Sequence, residues 1–230
     1  MYDVIIIGAG IIGTSIAREL SKSKAKVLIL EKGVDVSMGA TKANSAIVHG
    51  GFAEKHTALK GRLCYPGRTQ FKRLDEELHF GFKEAGSLVI TMEDDKEPLE
   101  KILENGILNG LPDLSIIGPE EIRKIEPELT HDVKWALYCK GAGICSPYEM
   151  AIAMAENAIK NGVTLELENE VTAIRKENEH FTVTTDKGDY EGRYVINAAG
   201  VHSDDISKMV GVDNFEILPR SGEYILFTRG

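Results

Sequence analysis

The chain opens on a continuous apolar run, Val4-Ile5-Ile6-Ile7, with no polar residue alternating through it. Such a run suits a strand buried on both faces, as in a parallel sheet. Glycines interrupt at 8, 10 and 13, and Ile12, Ile16 and Leu20 then recur at helical spacing, which predicts a helix over 11–23. A second apolar run, Val27-Leu28-Ile29-Leu30, is closed by Glu31. Residues 39–52 are small and polar, then briefly apolar, and read as a loop with a short helix. Residues 59–78 read as a charged helical stretch broken at Pro66-Gly67.

Further on, the pattern predicts a strand over 87–91, a surface helix over 97–108, a short Pro-opened helix from 119 and a strand over 133–139. Ser146-Pro147-Tyr148-Glu149 reads as a helix start, with Ser146 as cap and Glu149 closing a capping box. Asn161-Gly162 is its stop. Strands follow over 164–167, 171–175, 181–185 and 194–196, the last entered through Lys187-Gly188, and a final one over 223–227. There are no internal repeats and no low-complexity segment.

The opening segment is strand, glycine turn, helix, strand, acid, which is the dinucleotide-binding fingerprint of a Rossmann-like fold. Gly8 permits the tight turn, Gly10 lets the backbone approach a pyrophosphate, and Gly13 lets the helix pack close to the sheet. The helix N-terminus offers N–H groups and a positive dipole end to phosphates. Glu31, 23 residues after Gly8, is placed to accept hydrogen bonds from a ribose. A merely structural glycine turn is the plainer alternative. A nicotinamide enzyme is disfavoured, because its next βα unit should follow Glu31 directly.

Composition narrows the class. With 27 basic and 36 acidic residues the net charge is −9, which argues against a nucleic-acid surface but leaves room for a local basic pocket. Cys64, Cys139 and Cys145 are odd in number and lack metal-type spacing, so a reduced, cytoplasmic protein with no metal is expected. The apolar start lacks the basic residues of a signal peptide, and no run reaches the roughly 18 residues of a membrane span. Peripheral attachment to a membrane stays open.

Four stretches carry a family resemblance: the N-terminal fingerprint, Ala43-Asn44-Ser45-Ala46-Ile47-Val48-His49-Gly50-Gly51, Gly143-Ile144-Cys145-Ser146-Pro147, and Val195-Ile196-Asn197-Ala198-Ala199-Gly200. In this order they resemble the D-amino-acid-oxidase-like family of FAD enzymes, and within it the glycerol-3-phosphate dehydrogenases and oxidases. Pro219-Arg220-Ser221-Gly222-Glu223-Tyr224 is similar to that family's approach to the flavin. Cys145-Ser146 stands where the family commonly has an acid before the helix-starting proline. The family also runs well beyond 230 residues, with a further flavin contact and basic substrate-binding residues in its later half. The chain is therefore expected to be an N-terminal fragment that holds FAD weakly and turns over little.

The resemblance implies an α/β flavoprotein in two interleaved parts: an FAD-binding part from 1–80 and 145–205, and an incomplete α+β substrate part from 81–144 and 206–230. The implied reaction takes sn-glycerol 3-phosphate to dihydroxyacetone phosphate, with a small anionic substrate and with oxygen, a quinone or a partner protein as final electron acceptor. An L-2-hydroxyglutarate dehydrogenase-like enzyme, an amine oxidase and a non-catalytic nucleotide-binding module are the alternatives. Thr41, Asn44 and Ser45 are implied beside the pyrophosphate and isoalloxazine, or are ordinary loop polarity. Val171 is implied as a main-chain contact to adenine, or is core. Ala199 and Gly200 are small where a cofactor must come close.

His49 is the catalytic candidate, because removing a hydroxyl proton suits a base that titrates near neutrality. A structural histidine bonding its own loop is the alternative. Arg220 is assigned to the substrate or the flavin's electron-rich end, with a charged strand edge equally open.

Overall fold

The computed structural model describes residues 1–225. The chain divides into two compact units, one comprising Met1–Asn44 and the described residues of Pro147–Gly230, the other Ser45–Ser146. The first unit begins with β1 (Tyr2–Ile7), α1 (Ile11–Leu20) and β2 (Val27–Leu30). β1 and β2 pair in parallel, from Val4 opposite Val27 to Ile7 opposite Leu30. The apolar run of β1 splits between two cores. Val4 and Ile6 pack on one face with Ala17 of α1, while Ile5 and Ile7 face the other. An uninterrupted β-branched run is what a strand covered on both faces needs.

The second unit contains β3 (Ile47–Val48), α2 (Leu59–Arg68), α3 (Phe71–Leu78), β4 (Lys83–Glu84), β5 (Ser87–Thr91), α4 (Glu97–Leu108), β6 (Leu114–Ile117), α5 (Pro119–Ile125), β7 (Trp135–Cys139) and β8 (Gly143–Ile144). Its strands form two small sheets, ordered β3-β8-β4 and β5-β7-β6. Two expectations change here. Residues 39–52 contain no helix. Turns lead into β3, whose Ile47 and Val48 pair antiparallel with Ile144 and Gly143. The helix break lies at Thr69-Gln70 rather than Pro66, which sits inside α2. Pro66 removes one donor near the helix end, and the Thr69 hydroxyl then donates back to the Pro66 carbonyl at 2.8 Å, competing with the next helical bond.

The chain returns to the first unit with α6 (Pro147–Lys160), β9 (Thr164–Glu166), β10 (Val171–Glu177), β11 (His180–Thr185), β12 (Gly188–Asn197), a 3-10 turn over Gly200–His202 and α7 (Ser203–Lys208). α6 begins at Pro147, but the Ser146 hydroxyl is buried without a partner and does not act as its cap. Gly162, in the left-handed region at φ 96°, ends the helix. The strands complete a six-stranded sheet ordered β10-β11-β12-β1-β2-β9. Pairings of β12 with β1, β1 with β2 and β2 with β9 are parallel, whereas β10-β11-β12 is an antiparallel meander. Ala155 and Ala158 of α6 join the core under α1.

These units divide the chain differently from the expected split. Residues 45–80 go with the second unit because β3 pairs with β8 and Arg68 of α2 bonds Asp113 at 2.9 and 3.0 Å. Residues 206–225 go with the first, where Ile206 is buried in the core and the Ile217 N–H reaches Asp204 at 3.4 Å. Glu223–Ile225 form no strand, and the rest of the strand expected over 223–227 lies outside the described residues.

Candidate functional site

A cleft of about 470 Å³ in the first unit opens at the carboxyl ends of β1, β2 and β12. Ligands of parallel α/β sheets bind at these strand ends, because the turns there carry the free helix N-termini. Gly8, Gly10, Glu31, Thr41, Val171, Ala199 and Gly200 all line it, so the sheet gathers seven of the expected site residues.

The glycine turn is built by close main-chain approach. Gly8 has φ 104°, and a Cβ there would lie 2.5 Å from the Ala198 carbonyl oxygen. A Cβ on Gly13 would lie 1.9 Å from the Gly8 carbonyl oxygen. Gly10 differs, since a Cβ there would meet only the Thr41 hydroxyl, at 3.1 Å, and otherwise open space. A side chain at Gly10 would project into the cleft that this residue lines, so the bare glycine leaves room for a pyrophosphate. Thr41 accepts the Ile11 N–H at 3.0 Å, satisfying the first donor of α1 from a distant loop.

Glu31 does more than project into the cleft. One carboxylate oxygen accepts the Ala9 N–H at 2.7 Å and the other accepts the Gly33 N–H at 2.8 Å. The acid therefore ties the glycine turn to the end of β2 and keeps spare lone pairs for a ligand hydroxyl. The Asn169 N–H donates to the Glu31 carbonyl at 2.9 Å, which brings the start of β10 alongside. Asn169, 1% exposed, also donates to the Tyr190 hydroxyl at 2.8 Å. The sequence reading missed this residue, since a lone Asn before a strand looks like turn polarity. His202 and Asp205 line the cleft's edge, their side chains 3.6 Å apart.

Other expected residues lie elsewhere. Asn44 is exposed, and its amide donates to the Ala40 and Thr41 carbonyls at 3.1 and 2.8 Å, bracing the loop that carries Thr41. Arg220 is exposed on an irregular segment and does not line the cleft. Ser45 and His49 belong to the second unit, both exposed. His49 follows β3 and precedes Gly50 and Gly51, both buried. Three free thiols lie in the second unit, and burial pushes all of them up from their ordinary pKa. Cys139 also accepts from Arg68 at 3.2 Å. Among the described residues no His, Cys, Asp and Glu cluster could hold a metal, and no helix is long and apolar enough to cross a membrane.

Residues 3–230 match the family described as FAD dependent oxidoreductase. Over its whole length the chain is 46% identical to a glycerol 3-phosphate dehydrogenase of Caloramator mitchellensis, covering 48% of that protein. It is 29% identical to the human mitochondrial L-2-hydroxyglutarate dehydrogenase across 98% of this chain and 52% of the relative. Among solved structures, dithionite-reduced L-alpha-glycerophosphate oxidase from Mycoplasma pneumoniae with FAD bound superposes with a TM-score of 0.87 at 27% identity, covering 94% of this chain and 58% of that one. The chain thus spans about half the length of the relatives it matches.

Proposed function

The chain belongs to the FAD dependent oxidoreductase family, and from that premise we propose that the protein oxidises sn-glycerol 3-phosphate to dihydroxyacetone phosphate with FAD held in the cleft of the first unit. The likeness to the Caloramator glycerol 3-phosphate dehydrogenase carries the substrate reading, because it runs through the entire chain and far exceeds the identity to the 2-hydroxyglutarate enzyme. The open floor at Gly10 supports the cofactor reading.

In this reading Gly8, Gly10 and the start of α1 receive the pyrophosphate, with Gly13 keeping the helix against the turn. Glu31 turns its spare lone pairs to the ribose, and the main chain at Val171 meets the adenine. Thr41 serves the pyrophosphate, Asn44 acts by holding the loop that carries Thr41, Ser45 is assigned to the isoalloxazine, and Ala199 and Gly200 form a bare wall. When bound, FAD supplies a two-electron acceptor for the hydrogen that leaves the carbinol carbon. The protein's own share of the chemistry is a proton: His49 takes the hydroxyl proton on a ring nitrogen. Arg220 is assigned to the substrate's anionic group.

A second reading, oxidation of L-2-hydroxyglutarate by the same groups, draws on the human relative. Initial rates with an artificial electron acceptor separate the two. Dihydroxyacetone phosphate forming from sn-glycerol 3-phosphate, with no turnover of L-2-hydroxyglutarate, is the expected result. The reverse preference overturns the substrate assignment.

A further inference from the structure

Within the second unit, the main chain that follows His49 is held by two amides, Asn105 in α4 and Asn109 at its C-cap. Asn105 donates both side-chain N–H bonds to main-chain carbonyls, those of Phe52 at 2.7 Å and Glu54 at 2.8 Å. Asn109 does the same to the carbonyls of Gly51 and Glu54, each at 2.8 Å. The Asn105 side-chain oxygen accepts the His56 N–H at 3.3 Å. The orientation of both amides follows from chemistry, since either one flipped would set its oxygen against two carbonyl oxygens.

The surroundings are shaped for this grip. A Cβ on Gly106, between the two asparagines, would lie 3.1 Å from the Phe52 Cβ and 2.2 Å from Leu114. A Cβ on Gly61 of α2 would lie 2.2 Å from the Lys55 carbonyl oxygen and 3.1 Å from the Asn109 side-chain oxygen. Gly50 sits so close to Cys139 and Phe52 that a Cβ there would lie 2.6 Å from the sulfur. Gly51 has φ 108°, and a Cβ there would lie 3.2 Å from the Tyr65 main-chain nitrogen. The Asn109 side-chain oxygen is buried with no partner. Leaving that acceptor unmet is unfavourable, and the arrangement keeps it so that both N–H groups stay on the loop.

We infer that Asn105 and Asn109 are positioning residues that fix residues 51–54 and, through them, the imidazole of His49. The inference rests on the proton-accepting role proposed for His49. Ala is a better helix former than Asn, so Asn105→Ala leaves α4 intact while removing three loop bonds, and Asn109→Ala, at the C-cap just past the last helical residue, removes two. In the full-length, FAD-loaded protein, hydrogen–deuterium exchange should speed up within 50–56 and not along α4. Stopped-flow reduction of the flavin by sn-glycerol 3-phosphate should slow at least tenfold in the double variant, with KM within twofold of the parent protein.

The decisive comparison is the His49→Ala background, where the Asn substitutions should slow reduction no further. An unchanged rate in the double variant, or the same tenfold loss with and without His49, overturns the positioning role. If His49→Ala alone leaves reduction unchanged, the proton-accepting role fails, and the exchange data still show whether the asparagines hold the loop. Should the double variant not fold, the two single variants give the same comparison with three bonds removed in one and two in the other.

Discussion

Gly13→Ala sets two elementary effects against each other. On helix propensity alone the substitution should stabilise α1 by about 1 kcal/mol. The geometry predicts the opposite sign, because the new methyl would start 1.9 Å from the Gly8 carbonyl oxygen and 3.1 Å from its carbon. Carbon–oxygen contacts ordinarily lie at about 3.3–3.6 Å, so the start of α1 would have to retreat by about 1.4 Å. Both clashing partners are main chain at the joint of β1 and α1, and no rotamer change relieves the contact. Overpacking of this kind costs about 1–3 kcal/mol, and a main-chain clash belongs at the upper end. Less the propensity gain, the net loss is about 2 kcal/mol, which for a chain of this size lowers Tm by about 4–8 °C. Gly67, in α2 with nothing within 4 Å of an added Cβ, is the matched control. Gly67→Ala should stabilise by up to about 1 kcal/mol. Urea and thermal unfolding of both variants beside the parent protein decide the matter. A Gly13→Ala protein as stable as the parent, or more so, would falsify the close-packing account of the glycine turn.

Glu31→Ala removes the acceptor of two main-chain N–H groups and a ribose partner together, so FAD affinity measured by calorimetry should fall at least tenfold, about 1.4 kcal/mol; unaltered affinity would remove Glu31 from the site. Replacing His49 by Ala should slow flavin reduction by substrate while bound FAD, read from the visible spectrum, stays in place. Burial raises the thiol pKa of Cys64, Cys139 and Cys145, so the folded state holds these protons more tightly than the unfolded chain. Their contribution to stability is intact below the ordinary thiol pKa of about 8.5 and is lost as pH rises above it. Unfolding midpoints that climb between neutrality and pH 10 would contradict this.

The first βαβ unit was legible because its signals are local. A four-residue apolar run, three glycines at fixed spacing and a closing acid leave little freedom. Strands β10 and β11 were legible for the same reason, each being bounded by turn residues, whereas only 194–196 of β12 were read as strand, because its first half, Gly188-Asp189-Tyr190-Glu191-Gly192-Arg193, carries no apolar run. The unit boundary at residue 45 was not, since it depends on Ile47 pairing with Ile144, and nothing near either residue announces the other. Glu31 could be placed at the cleft, but its two main-chain bonds depend on how Ala9 and Gly33 curl around the carboxylate. Asn105 lies in, and Asn109 caps, a helix whose sequence reads as surface, and the four bonds they donate go to carbonyls, which a sequence pattern does not display.

The most direct measurement is the visible absorption spectrum of the purified, mass-verified full-length protein, taken before and after anaerobic addition of sn-glycerol 3-phosphate. The account predicts a flavin band, released as FAD on denaturation, that bleaches with sn-glycerol 3-phosphate and not with L-2-hydroxyglutarate. A flavin band that no glycerol phosphate bleaches, or a full-length protein that takes up no FAD, would contradict it.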